Sequence, residues 1–437
     1  MSQATLLRLA TAGSVDDGKS TLVGRLLYDS KSVLTDQLDA VERVSAAKGL
    51  GHVDLALLTD GLRAEREQGI TIDVAYRYFA TARRTFILAD CPGHVQYTRN
   101  TVTGSSTADL LVLLVDVRKG VLEQTRRHLA VGQLLRVPTI LIAVNKMDLA
   151  GYDQAAYESV AAQVLAVASE LGVTGVTTIP VSALEGANIV ERSARTPWYD
   201  GPSLLEFLEE APAGAELPAL PFRFPVQLSL RPQEAAKPEY REYRGYAGQI
   251  ASGTVRVGDP VVVLPSGRRT TVAGIDTYDG PLDEAFAPQS VALRLADAID
   301  VNRGDLIAAA DGAPEPSQEL TGLVSWLAER PLRAGTRVLV KHGTTTVQGI
   351  VRSLGGRLDL DSLSPVPTDT LDLNDIGRVH IRLSAPVASD DYTVSRRTGS
   401  FLLIDPQTGG TLAAGMVRGT TLFDEAAEAA ETLNWSI

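Results

Sequence analysis

Residues Gly13 to Ser20 (GSVDDGKS) constrain this chain more than any other stretch. They match G-x-x-x-x-G-K-[ST] and lie between a strand-like run, Leu6 to Thr11, and a helical pattern beginning at Thr21. In such a loop the glycines let successive backbone N–H groups converge on phosphate oxygens at a helix N-terminus. Lys19 then reaches the β- and γ-phosphates, and the Ser20 hydroxyl can ligate Mg²⁺. Gly13, Ser14, Val15, Asp16, Asp17, Gly18, Lys19, Ser20 and Thr21 are therefore expected to cradle the phosphates of a nucleotide. Two acids so close to phosphates are unusual, and Asp16 is a candidate for holding a cation or a catalytic hydrogen bond.

The surroundings of the loop suit it. Up to about residue 210, short β-branched runs alternate with longer helical patterns: Leu6 to Thr11, Thr85 to Ala89, Leu110 to Val117, Thr139 to Val144 and Thr177 to Val181. That alternation predicts a mostly parallel sheet covered by helices on both faces. The segment Ala211 to Pro221 (APAGAELPALP) lacks apolar periodicity and reads as a linker. Strand-like segments separated by turn signals follow, interrupted near Ala313 to Ser317 (APEPS), and they suggest two small antiparallel barrels. The expected domains are 1–212, 221–314 and 315–437. The ending, LFDEAAEAAETLNWSI, is compatible with a short amphipathic helix or a loose tail.

Composition narrows the function. No apolar run reaches membrane-spanning length, and the first residues, with Arg8 inside a short apolar stretch, do not resemble a secretory signal; a cytoplasmic protein without a membrane partner is expected. The formal net charge of −12 disfavours nucleic acid as the main partner, because such binding rests on neutralising phosphates. One cysteine, Cys91, excludes an internal disulfide and a multi-cysteine metal site.

Three further motifs specify the nucleotide. Asp90 to His94 (DCPGH) follows an apolar strand, so the Asp90 carboxylate emerges where it can hold a metal-bound water. Gly93, lacking a side chain, can approach the γ-phosphate with its backbone N–H. His94 is then placed to orient the attacking water. Asn145 to Asp148 (NKMD) closes another strand. A carboxylate at Asp148 can accept from guanine's ring N–H and exocyclic amine. Adenine has neither donor in those places and would leave a buried charge facing a ring lone pair, so the nucleotide is expected to be GTP or GDP. Asn145 would bridge the base and neighbouring loops, while the stem of Lys146 covers one base face. Val181 to Leu184 (VSAL) can present backbone N–H groups to the guanine carbonyl, with Ser182 and Ala183 nearest and Leu184 beside them. Thr71, in EREQGITID, is the expected second protein ligand to Mg²⁺, beside Ser20 and with Asp90 acting through water. His94, Lys19 and Asp16 are the candidate catalytic groups. His52, His128, His342 and His380 have no ligand spacing and are expected to be structural.

The fold class expected from these motifs is an α/β P-loop GTPase domain followed by two small antiparallel β-barrels. The order GSVDDGKS, GIT, DCPGH, NKMD, VSAL resembles the translation-factor class of GTPases along the whole chain. Within that class, SVDDGKSTLVGRLLYDSK, LRAEREQGITIDVAYRYF, PGHVQYTRNTVTGSSTADLLVLLVD and EQTRRHLAVGQLLRVPTILIAVNKMDL resemble the large, GTP-hydrolysing subunit of bacterial sulfate adenylyltransferase. Elongation factors more typically carry histidine where Asp17 stands. Cys91 departs from the threonine usual in the sulfate-activating subunit, and Val95 from an acidic residue. The resemblance implies a smaller adenylyltransferase partner, in a heterodimer or a higher assembly, that makes adenylyl sulfate from ATP and sulfate. It also implies coupling through segments Tyr28 to Thr71 and Asp90 to Asn100. No second phosphate loop is present, so kinase activity is not expected. The alternative is a translation-factor GTPase carrying aminoacyl-tRNA.

Overall fold

The computed structural model describes residues 5–31, 35–47, 53, 55–58, 74–93, 98–212, 217–232, 242–359 and 364–419, which fall into two compact units. Thr71, His94 and the ending from 420 onward lie outside the described residues.

The first unit is built on six strands: β1 (Thr5–Gly13), β2 (Ala75–Ala80), β3 (Arg84–Asp90), β4 (Leu110–Asp116), β5 (Thr139–Asn145) and β6 (Thr177–Pro180), in the order β2-β3-β1-β4-β5-β6. Strands β4 (LLVLLVD) and β5 (TILIAVN) are almost wholly apolar and buried along their length. Near-continuous apolar runs are the mark of parallel strands covered on both faces. The helices are α1 (Lys19–Asp29), α2 (Thr35–Ala47), α3 (Thr98–Ser106), α4 (Glu123–Leu134), α5 (Gln154–Glu170) and α6 (Leu204–Glu210). Alternation within β4 divides its side chains between two layers. Leu110, Val112 and Leu114 join Leu22, Val23 and Leu26 of α1 and Leu204 and Leu208 of α6 in one core. Leu111 and Ile140 instead lie against Gly132 of α4 on the opposite face. The mostly parallel pairing and the two-sided cover agree with the sequence expectation.

One strand escaped that reading. β2 (AYRYFA) pairs antiparallel with β3 at the sheet's edge, with Tyr78 opposite Ile87 and Phe79 stacked on Phe86 at 4.5 Å between ring centroids. Its outward face is exposed, so it lacks the apolar run that marks the central strands.

Parallel pairing also decides where the motifs emerge. Thr11 lies opposite Asp90, Gly13 opposite Leu114, and Asp116 opposite Asn145, so the segments after β1, β3, β4 and β5 leave at one edge of the sheet. The strand order reverses beside β1, where successive crossovers go opposite ways and a crevice opens.

The second unit holds two closed barrels. In the first, β7 (Arg223–Leu230), β8 (Gly245–Gln249), β10 (Pro260–Leu264), β11 (Arg268–Thr277), β14 (Ser290–Leu295) and β15 (Leu306–Ala309) form a ring closed by β10 pairing with β11. In the second, β16 (Pro316–Trp326), β17 (Arg337–His342), β18 (Thr345–Asp359), β20 (Ile376–Ala388), β21 (Ser400–Ile404) and β22 (Thr411–Val417) close through β17 and β18. Short strands β9 (Thr254–Arg256), β12 (Gly280–Leu282), β13 (Glu284–Phe286) and β19 (Ser364–Val366) decorate them. Burial alternates along β17 and β20, as one-sided strands require, and each ring removes its sheet's free edges. Arg223 joins the two barrels: its guanidinium grips the Asp390 carboxylate through two 3.0 Å contacts while donating to the carbonyls of Phe222 and Gly312.

Candidate nucleotide site

Strand β1 runs straight into the phosphate loop, which ends at the first turn of α1. Gly18 precedes that helix with φ +92°, and a Cβ there would lie 2.5 Å from Asn145 Nδ2, so no other residue fits without displacing that asparagine. Lys19 is buried, and its Nζ donates to the carbonyls of Gly13 (3.0 Å) and Ser14 (3.1 Å). Burial pulls its pKa below the ordinary lysine value, opposed by the nearby carboxylates of Asp90 and Asp17. The ammonium is thus held against the loop.

Asp17 turns back under the loop. Its Oδ2 accepts from Ser14 N–H at 2.8 Å and its Oδ1 lies 3.9 Å from Lys119 Nζ. Burial pushes this carboxyl's pKa up, against the pull of that hydrogen bond and of Lys19 and Lys119. Asp16 has φ +66° and an exposed side chain, while Val15 is partly exposed at the loop's tip. Ser20 and Thr21 are half-buried in the first turn of α1.

Asp90 is buried at the end of β3, with Oδ1 accepting from Thr11 Oγ1 at 3.0 Å. Gly93 lies against the phosphate loop, where a Cβ would fall 2.3 Å from Lys19 Nζ and 2.5 Å from the Gly13 carbonyl. Cys91 is buried between them, and burial pushes its thiol far above the range in which thiolates form.

Asn145 links two distant segments of the site. Its Nδ2 donates to the Asp17 carbonyl at 2.7 Å and its Oδ1 accepts from Ala183 N–H at 2.9 Å, so one buried side chain ties the phosphate loop to the turn after β6. Lys146, with φ +65°, reaches the Asp16 carbonyl and lies 3.1 Å from Asp116 Oδ2. Asp148 Oδ1 accepts from Ser182 Oγ at 2.5 Å. The Ala183 N–H is occupied by Asn145, whereas that of Leu184 has no protein acceptor among the described residues.

Four residues that the sequence reading passed over support this arrangement: Asp116, Arg118, Lys119 and Arg25. Asp116 closes β4 and accepts from Arg118 N–H (3.0 Å), Nε (3.1 Å) and Nη2 (2.7 Å) in addition to Lys146. Burial alone would raise its pKa; these partners outweigh burial and hold the carboxyl well below the usual carboxylate range. The charged VDVRKG segment after the most apolar strand was the available signal. His128, on α4, is buried, and burial with the Lys19 charge pushes its pKa down to about 3, so its ring is neutral.

Among the described residues no cluster of three or more His, Cys, Asp or Glu side chains could hold a metal. What the loop and the end of β3 supply is hydroxyl and carboxylate oxygen from Ser20 and Asp90, donors suited to Mg²⁺, in a crevice that a Cβ at Gly93 would fill. Nor is any described helix long and apolar enough to cross a membrane.

Fold and loops together define a P-loop GTPase carrying two antiparallel barrels. Residues 4–213 match the family model described as the elongation factor Tu GTP binding domain, and residues 319–418 the one described as GTP-eEF1A C-terminal domain-like. The chain is 48% identical over 415 residues to sulfate adenylyltransferase subunit 1 of Cellvibrio japonicus, covering 94% of this chain and 86% of that one. It is 47% identical over 417 residues to the protein of that name from Bacteroides fragilis, covering 95% and 86%. Identity is 54% over 415 residues to the bifunctional enzyme CysN/CysC of Mycobacterium tuberculosis, with 94% of this chain matched to 67% of that longer protein. Among solved structures it aligns with sup35 complexed with GMPPNP at 22% identity and a TM-score of 0.43, over 95% and 94% of the two chains, a likeness too loose to add anything about function. The chain belongs to the sulfate adenylyltransferase subunit 1 family.

Proposed function

We propose that this chain is the GTP-hydrolysing subunit of a sulfate adenylyltransferase, working in the cytoplasm with a smaller adenylyltransferase subunit as a heterodimer or an assembly of heterodimers. The observation that carries the guanine half of this reading is the seating of Asp148 against Ser182, with Asn145 joining the same turn to the phosphate loop. Membership in the family supports the sulfate half. The divisions 1–212, 221–314 and 315–437 are offered as its functional domains.

Asp148 accepts the two guanine donors, and Lys146 covers the base. Lys19 and the N–H groups of residues 13–21 hold the phosphates. Ser20, Thr71 and, through water, Asp90 would hold Mg²⁺, which when bound neutralises charge on the β- and γ-phosphates. Gly93 N–H donates to the terminal phosphate, which brings His94 to the water that attacks it; Asp16 holds a cation or hydrogen bond beside the leaving phosphate. Positioning and charge compensation of this kind are most of what phosphoryl transfer requires of a protein. Forming a mixed sulfate–phosphate anhydride is uphill, so coupling it to GTP hydrolysis makes net synthesis feasible. Segments ordered by the γ-phosphate and released after hydrolysis change the surface that the partner meets.

Copurification with an adenylyltransferase subunit, followed by an assay of sulfate-dependent pyrophosphate release, tests the proposal. Release should rise with GTP and stay at its basal level with GDP, and the partner should accelerate GTP turnover. Saturable aminoacyl-tRNA binding without either effect would move the chain to the translation factors. Replacing His94 by alanine should slow turnover while nucleotide binding persists.

A further inference from the structure

The turn that follows β6 has its peptide groups sorted by direction. The N–H groups of Ala183 and Glu185 point to one side, donating to Asn145 Oδ1 at 2.9 Å and to Ser182 Oγ at 3.2 Å. That side also carries Asp148, whose Oδ1 accepts from the same Ser182 hydroxyl. The carbonyls of Ala183 and Leu184 point the other way, to a single side chain: Arg25 Nε donates to Ala183 O at 3.2 Å and Arg25 Nη2 to Leu184 O at 2.5 Å. The Ala183 carbonyl and the Leu184 N–H belong to one trans peptide and therefore point in opposite directions. Fixing the carbonyl on Arg25 fixes the Leu184 N–H on the side of Asn145 and Asp148. This is the donor in the turn that has no protein acceptor among the described residues.

We propose that Arg25 is a positioning residue for guanine recognition, holding the Ala183 and Leu184 carbonyls so that the Leu184 N–H is aimed at the oxygen on C6 of the purine. The inference rests on the reading that Asp148 and Asn145 seat a guanine. Adenine carries an amine at C6, a donor facing a donor, so this peptide discriminates at a second edge position, independent of the two donors that Asp148 accepts. Arg25 is suited to the task because its planar fork presents donors at fixed spacing to two acceptors at once. It is itself steadied by Asp29, 3.7 Å away, and by the face of Tyr28. Its place on α1 makes one rigid helix serve both ends of the nucleotide, Lys19 and Ser20 at the phosphates and Arg25 behind the base-reading turn.

Arg25 lines a cavity of about 780 Å³ with Tyr28, Tyr152 and Glu185, so a shorter side chain can be accommodated there. The test measures the affinities of wild type and Arg25→Met for GDP, for 6-thioguanosine diphosphate, whose C6 substituent is a weak acceptor, and for inosine diphosphate, which lacks only the amine. Wild type should prefer GDP to both analogues. Arg25→Met should lose about fivefold to tenfold in GDP affinity, the worth of one well-placed hydrogen bond. Its GDP-to-thio ratio should fall toward one while its GDP-to-inosine ratio holds. A GDP-to-thio ratio equal to the wild type's, or equal losses for all three nucleotides, overturns the proposal. If Arg25→Met does not fold, Arg25→Lys, which reaches one carbonyl in place of two, must show the ratio falling part of the way, and an unchanged ratio overturns the proposal there too. Absence of any guanine preference in the wild type would instead remove the base-seating reading on which this one stands.

Discussion

Asp116 and Lys146 meet across the ends of two neighbouring parallel strands, with Lys146 Nζ 3.1 Å from Asp116 Oδ2. The contact bends the lysine back over the phosphate loop, where it also reaches the Asp16 carbonyl. A long, flexible side chain is thereby held in one pose before any base arrives, and less conformational freedom is lost on binding.

Asp116→Asn removes the charge that holds Lys146 and leaves Arg118 with a weaker acceptor. The off-rate of GDP should rise about tenfold, the worth of one charge-assisted hydrogen bond, while guanine preference persists because Asp148 is untouched. Stopped-flow release of a fluorescent GDP analogue checks this; combining the change with Lys146→Met should add little, since both act through the same contact.

The carboxyl of Asp116 titrates far lower folded than unfolded, so its stabilisation is fully present above the unfolded carboxylate value of about 4 and fades as pH falls below it. The stability difference between wild type and Asp116→Asn should therefore be largest near neutrality and shrink in acid. Denaturant midpoints across that range would show whether it does.

At Gly93 an added methyl group would collide with Lys19 Nζ and the Gly13 carbonyl. Gly93→Ala should weaken GTP by about tenfold more than it weakens GDP, since on the proposed reading the displaced lysine serves the β- and γ-phosphates whereas the Gly93 N–H serves the γ-phosphate alone. Equal affinities for GTP in the two proteins would contradict the close approach.

On the proposed reading, Asp148→Asn places an amide where guanine would present two donors. Affinity for GDP should fall by about a hundredfold or more, and xanthosine diphosphate, with an oxygen in place of the exocyclic amine, should bind better than GDP. Competition binding with the two diphosphates decides the matter.

Arg223 and Asp390 form a buried ion pair between the barrels, with side chains only 3% and 11% exposed. Asp390→Ala strands the guanidinium and should destabilise the barrel unit by about 3 kcal/mol or more. Chemical denaturation followed by Trp326, buried in the second barrel, reads this directly.

The motifs were legible because each is contiguous. GSVDDGKS, DCPGH and NKMD carry their residue types at fixed spacing, and alternating apolar runs announced strands on either side of them. The edge strand β2 was not legible: only one of its faces is covered, and its two exposed tyrosines break the apolar pattern that marks its neighbours. Arg25 was equally silent as to its role. Its partner Ala183 lies 158 residues away, and no local periodicity records such a distance.

Sequence alone determined which chemistry is available: a glycine loop able to bring backbone donors to phosphate, a carboxylate able to read guanine, and strands apolar enough to be buried on both faces. Tertiary structure decided how these are aimed. Parallel register set Gly13, Asp90, Asp116 and Asn145 along one edge, and only there could an arginine on the first helix turn two distant carbonyls, or a buried aspartate hold a lysine over the loop. The physical reason is that hydrogen-bond directions are fixed by where whole strands and helices lie, a property that no short segment of chain possesses by itself.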